Sequence, residues 1–154
     1  MFYKIEGQPI PLSRARIGYG ARHMFDSQKN TKRITSIHIQ NQHGDDPILT
    51  KAVHLDITFF MKMPKLSPKA RANKRFQYHY YKADLSNLIK FVEDIAIKVI
   101  YNDDCQIAII TARKVYHDHP RTEFYIHEVS DKYRDPNEHP GSAQGYVETR
   151  AATT

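Results

Sequence analysis

The sequence predicts an α+β domain, a small mixed β-sheet packed with two helices, and three observations carry that expectation. Val53, Leu55, Ile57, Phe59 and Met61 occupy every second position while His54, Asp56, Thr58 and Lys62 face the other way, the period of a half-buried strand. Leu85, Leu88, Ile89, Val92, Ile95, Ala96 and Val99 instead recur every three or four residues, which places them on one face of a helix over Asp84–Tyr101. Gln106–Tyr116 and Thr122–Val129 are rich in β-branched and aromatic side chains, and the Pro120-containing turn at 117–121 between them predicts a strand hairpin.

The remaining elements follow from punctuation. Phe2–Ile10 alternates loosely and stops at Pro9 and Pro11, which suits a short opening strand. Arg14, Arg16, Gly18, Gly20, Arg22 and His23 make a polar loop or loose hairpin rich in phosphate donors. Gln28–Gln42 lacks Pro and Gly and spaces Ile34 and Ile37 three apart, so a helix is expected, although Ile37, His38 and Ile39 would also suit a strand. Gly44, Asp45, Asp46 and Pro47 mark a turn, and Pro64 ends the strand that follows it. Beyond Ser130 the composition turns to Asp, Pro, Asn, Gly, Ser and Thr, which divides the chain into a folded domain at 1–130 and a flexible polar tail at 131–154.

Composition narrows the functional classes. The chain has 154 residues, 40% of them apolar, enough for one modest core. Lys and Arg number 23 against 17 Asp and Glu, so the net charge is +6, and the pI near 9.4 favours polyanionic partners. One cysteine, Cys105, excludes an internal disulfide framework and is expected to pack rather than react. The nine histidines lack the Cys or His-Glu spacing of a zinc motif, which assigns His38, His43, His79, His117 and His119 to surface or loop roles, with His79 and His117 able to assist near a metal. The N-terminus is neither a signal peptide nor a membrane span, so a soluble, cytoplasmic protein with no membrane partner is expected.

Two features carry chemistry. The run from Lys65 to Lys82 interleaves Lys65, Lys69, Arg71, Lys74 and Arg75 with Phe76, Tyr78, His79, Tyr80 and Tyr81, a composition that suits either nucleic acid or a solvated connection covering the core edge. Asp84 opens the amphipathic helix, and Asp103 and Asp104 follow its end. Each has an ordinary structural role available, as helix cap or turn residue. Phosphodiester hydrolysis calls for a divalent cation held by a few carboxylates, so acids flanking a basic loop point toward that chemistry. A straight helix of that length would hold the two groups about 25 Å or more apart, so their meeting within one chain is not assured.

The stretch Asp84, Leu85, Ser86, Asn87, Leu88, with Lys90 close behind and Asp103, Asp104, Cys105, Gln106 beyond the helix, resembles the D-x-D-N-L, lysine and D-D-x-Q signature of the RusA endodeoxyribonucleases. Weaker similarity extends to Pro11, Arg14 and Arg16, to Met63 and Pro64, and to the basic loop, so that it spans most of residues 5–129. The resemblance implies a RusA-like fold and a Mg²⁺-dependent, or Mn²⁺-dependent, Holliday junction resolvase that acts as a homodimer on four-way junctions. It implies that Asp84 and Asp104 bind metal, with Asp103 as a further ligand, and that Lys90 stabilises charge at the scissile phosphate. Arg14, Arg16, Lys69, Arg71, Lys74 and Arg75 are the expected phosphate contacts. Ser86 stands where the signature has a second aspartate and brings no charge, which leaves a non-catalytic branched-DNA-binding protein of the same fold as the alternative.

Overall fold

The computed structural model describes residues 1–13, 16–17 and 24–130. The elements run β1 (Phe2–Glu6), β2 (Arg16–Ile17), β3 (Met24–Phe25), α1 (Lys29–His43), β4 (Val53–Lys62), α2 (Pro68–Lys74), α3 (Leu85–Ala96), a single 3₁₀ turn (Asp104–Gln106), β5 (Ile107–His117) and β6 (Arg121–Glu128). β2 and β3 form the small antiparallel hairpin expected of the glycine-containing stretch. The tail expected at 131–154 lies outside the described residues, as does Arg14.

The main sheet has the order β1-β6-β4-β5, in which β5 runs parallel to β4 and β6 antiparallel to it. The expected hairpin of β5 and β6 is therefore corrected, because β4 lies between them. β4 is the most apolar strand and takes the centre, where both of its edges are hydrogen-bonded. The three residues Asp118–Pro120 cross over its end, a span of about 10 Å that three extended residues can cover.

One face of this mixed sheet carries the core. Val53, Leu55, Ile57, Phe59 and Met61 of β4 are buried with Tyr3, Phe124 and Ile126, and Leu88, Phe91, Val92, Ile95 and Ala96 of α3 pack onto them. α1 adds Ile39, with Thr35 and His43 on the same side; Ile34 and Ile37, whose spacing suggested the helix, are 56% and 47% exposed. His43 is likewise no surface residue: its Nδ1 lies 2.6 Å from the buried Tyr3 hydroxyl. Burial, reinforced by Asp46, pushes that hydroxyl's pKa up to about 12.

Two boundaries differ from the periodicity. α3 stops at Ala96, five residues before the expected end at Tyr101, and Lys98 adopts a left-handed backbone (φ 63°) so that the chain folds back on itself. Ile100 and Tyr101 remain buried there without being helical, which is why the pattern outlasted the helix. The segment expected to be a loop contains a short helix, α2, started by Ser67 as N-cap and Pro68 in its first turn.

Candidate active site and nucleic-acid interface

α3 and β5 position the acidic residues. Asp84 occupies the N-cap position of α3, yet its carboxylate makes no capping hydrogen bond. It is exposed, and no described residue pairs with it, so the ordinary role for an aspartate at this position is not the one it plays. The chain leading into it is held from β5: the Lys114 ammonium donates to the carbonyls of Tyr81 (2.7 Å) and Ala83 (2.6 Å). Leu12 N–H donates to the Asn87 carbonyl at 2.7 Å and ties the first turn of α3 to the segment after β1. Ser86 and Lys90 are exposed on α3, in its first and second turns.

The acid pair lies at the other end of the same helix. Asp103 is committed to the turn: its Oδ1 accepts from Cys105 N–H at 3.0 Å, which with Gln106 completes a capping box. The Gln106 amide accepts from the N–H groups of Asn102 and Asp103 and donates to the carbonyls of Leu49 and Lys51, all within 2.7–3.0 Å. The glutamine of the D-D-x-Q motif is thus a clip joining this turn to the approach to β4. Asp104, by contrast, is exposed and lies beside Glu93. The Glu93 carboxyl is pushed above its usual range by burial first, then by Asp104 and Asp94. Glu93 was not singled out in the sequence because it reads as one charge among several on the polar face of α3. Cys105 is exposed at this turn rather than packed, contrary to expectation.

The two acidic positions do not meet in one chain. The 12 residues of α3 between them span about 18 Å. The sheet gives a similar measure: Lys114, which holds the Asp84 end, and Ile107, next to the acid pair, are seven residues apart on β5, about 23 Å. Among the described residues no three His, Cys, Asp or Glu side chains gather closely enough to hold a metal ion. A Mg²⁺ ion therefore finds its expected carboxylates divided between two places.

The cationic groups gather at the Asp84 end, around the C-terminal ends of β4 and β5. Lys69 is exposed on α2. Arg71 is fastened to Asp118, with Nε and Nη2 both donating to Oδ1 at 3.0 and 2.8 Å. Lys74 sits over the Tyr116 ring at 4.5 Å and Arg75 over Phe76 at 5.2 Å. Arg75 also reaches Nε2 of His117 at 3.1 Å, while Arg121 reaches its Nδ1 at 3.1 Å. His117 is buried, not a loop histidine, and burial with Arg121 and Arg75 nearby lowers its pKa. The loop aromatics do not cover the core edge: Phe76, Tyr78, Tyr80 and Tyr81 are 58–75% exposed. For Arg16, only the backbone in β2 is described.

A mixed four-stranded sheet with α3 packed on it thus carries an acid and a lysine along the helix, an acid pair beyond its end, and a basic, aromatic margin. The family model for Endodeoxyribonuclease RusA matches residues 6–127, most of the chain. The chain belongs to the RusA endodeoxyribonuclease family, whose members act on branched DNA. It is also 31% identical over 137 residues to the uncharacterized protein YqaN of Bacillus subtilis (strain 168), covering 83% of this chain and 96% of that one. No helix among the described residues is long and apolar enough to cross a membrane.

Proposed function

We propose that the protein is a metal-dependent, structure-selective endodeoxyribonuclease that resolves Holliday junctions by paired nicks, working as a homodimer with Mg²⁺, or Mn²⁺, as cofactor. The observation that carries this reading is the Asp84 carboxylate, left free of its capping role at the margin where the basic and aromatic residues gather. A helix start offers an aspartate a ready structural function, so an uncapped, unpaired one beside cations is better suited to a ligand.

A divalent cation would polarise the scissile phosphate and supply hydroxide at neutral pH. The residues assigned to it are Asp84 and Asp104, with Asp103 retaining one oxygen beyond its bond to Cys105 N–H. A single chain does not bring them together, so no step is assigned to the metal within the monomer. The protein's own contribution is clearer. Arg75, Lys74 and Lys69 supply charge to hold phosphates, the exposed Tyr78, Tyr80 and Tyr81 offer flat faces to unpaired bases, and Lys90 supplies charge to the phosphate being cut. Arg14, Arg16 and Arg71 are proposed as further phosphate contacts, Arg71 after release from Asp118.

The test is cleavage of labelled four-way junctions with and without Mg²⁺. Asp84→Asn and Asp104→Asn are each expected to lower cleavage by more than about 100-fold while junction affinity stays near wild type, since neither touches the basic surface. Full cleavage by either variant would remove that residue from the site. A second reading is favoured by one observation: Ser86 is exposed in the first turn of α3 where the family signature has an aspartate. On that reading the protein binds branched DNA without cutting it, and wild-type protein would bind junctions but leave them intact with either metal.

A further inference from the structure

A recess of about 520 Å³ opens at the turn between β5 and β6, bounded by Lys4 and Glu6 of β1, by Arg75, and by residues of the turn itself. His117 lines it, although only 4% of that residue's surface is exposed. Phe60 and Phe76 flank the imidazole, each with its ring centroid 5.3 Å away, so the directions of the two ring nitrogens are fixed. Phe76 takes a left-handed backbone (φ 65°) beside it, a conformation uncommon for an aromatic residue.

The hydrogen bonds around the ring assign its proton. Nδ1 accepts from His119 N–H at 3.0 Å and lies 3.1 Å from Arg121 Nη1. The His119 carbonyl is farther from it, at 3.3 Å, and already accepts from Arg121 Nη1 at 3.0 Å. Two donors against one more distant, occupied acceptor make Nδ1 the bare nitrogen, and a neutral ring then carries its proton on Nε2. Burial first, then Arg121 and Arg75, lower the ring's pKa and keep it neutral. Nε2–H therefore faces Arg75 Nη2, 3.1 Å away. A guanidinium has no acceptor, so two donors converge on one place with nothing among the described residues to accept from them.

We propose that this convergence is a phosphate-binding site, in which one phosphate group accepts from both Arg75 Nη2 and His117 Nε2–H. The carboxylates around the recess are each engaged: Glu6 with Lys4, Glu123 with Arg121 and Asp118 with Arg71. Arg75 forms no ion pair among the described residues, so its charge is the one left for an incoming anion. The oxygens of one phosphate match a pair of donors this close together, as they match the fork of a guanidinium. That the phosphate belongs to a DNA strand rests on the nuclease reading; the donor geometry does not. His117 stands three residues beyond Lys114 on β5, about 10 Å from the residue that holds the Asp84 end. A phosphate seated there is separate from the one being cut, and holds the strand in register without reading its bases.

The first test watches the ring. Full-length protein with isotope-labelled histidine is titrated by NMR with sodium phosphate, and with sodium chloride and sodium acetate at matched ionic strength. The His117 signals are expected to shift saturably with phosphate alone, and the ring's pKa to rise, because a bound anion favours the imidazolium. His54 and His127, paired at the other end of β4 and β6, are expected to stay in place. Equal shifts with chloride or acetate, or none with phosphate, would overturn the site.

Variants separate the two donors. Arg75 is exposed, and Arg75→Gln is expected to weaken phosphate binding about tenfold by calorimetry with an unchanged circular dichroism spectrum. Unchanged affinity would also overturn the site. His117→Gln keeps an N–H directed at the same place and is expected to bind phosphate more tightly than His117→Leu, which keeps none; equal affinities would remove His117 from it.

The source of the phosphate is read from one single-stranded oligonucleotide made with a 5′-hydroxyl or a 5′-phosphate. Both are expected to compete equally with inorganic phosphate for His117, which identifies an internal phosphodiester. Competition by the phosphorylated strand alone assigns the same pocket to a strand end, and competition by neither would overturn its part in holding DNA. If wild-type protein cuts no junction with Mg²⁺ or Mn²⁺, the nuclease reading fails, and the phosphate titrations still decide the pocket.

Discussion

The two ends of α3 are built on opposite plans. At its start, Asp84 has no partner among the described residues and the surroundings are basic and aromatic; the chain there is held by Lys114 reaching across to backbone carbonyls. At its finish, Glu93, Asp94, Asp103 and Asp104 collect negative charge, and the local structure is held by a neutral amide, Gln106. Lys32 offsets part of it, bridging Asp94 and Asp26 at 3.0 Å each. A helix that ends in acids gains nothing from its own dipole, whose C-terminal end is negative. The arrangement opposes local helix stability, and Lys32 at Asp94 is the one ion pair that offsets it among the described residues. On the proposed nuclease reading, the basic end holds DNA and the acidic end contributes carboxylates.

The sharpest way to break this comparison is to cut the clip at the acidic end. Gln106→Ala removes four hydrogen bonds, two within the turn and two that join it to Leu49 and Lys51, and is expected to lower stability by about 2 kcal/mol in denaturant titration. A change below a few tenths would mean that the turn is held by packing instead. At the basic end, Lys114→Met keeps the length of the side chain but loses the ammonium, leaving two carbonyls without their donor. A loss of about 1.5 kcal/mol is expected, with hydrogen exchange rising at the first turn of α3 and not at Asp104–Gln106. Equal acceleration at both ends would dissolve the distinction.

DNA binding should read only one end. Lys74→Ala and Arg75→Ala are each expected to reduce the slope of log affinity against log salt by about 1, measured on a four-way junction. Asp94→Asn, at the other end, should leave that slope unchanged. The smallest effect concerns proton linkage. The Glu93 carboxyl is raised in the folded state by burial and by neighbouring acids, so its protonated form favours folding; that contribution is complete below the unfolded carboxylate range and is lost as pH climbs through the raised value. Glu93→Gln is therefore expected to raise the melting temperature at pH 7 and to lose this advantage at pH 3. His117 has the opposite sense, its lowered value favouring the neutral ring, so stability it contributes above its ordinary range falls away in mild acid.

Much of this was legible along the chain. Alternation located β4 to within a residue because one of its faces is buried over its whole length, and the period of α3 named the residues that bury it. The clip was legible only as a motif: the D-D-x-Q stretch named Gln106, and the structure gives that glutamine its hydrogen bonds to the turn and to the approach to β4. What escaped had non-local causes. The order of β5 and β6 depends on which strand wins the centre, and two adjacent strands with a short turn look the same whether or not a third lies between them. His43 and His117 are buried by partners far away in sequence, Tyr3 and Arg75 among them.

By itself, the sequence determined the periods of β4 and α3, the excess of positive charge and the identity of the acids, since each is written in the residue types and their spacing. Only the tertiary structure decided that α3 is too straight to fold its two ends together, and that half of the outer edge of β5 has no strand paired to it among the described residues. Distance and edge exposure are properties of where elements lie relative to one another, and hydrogen bonds left unmade appear only once every other strand has found its place.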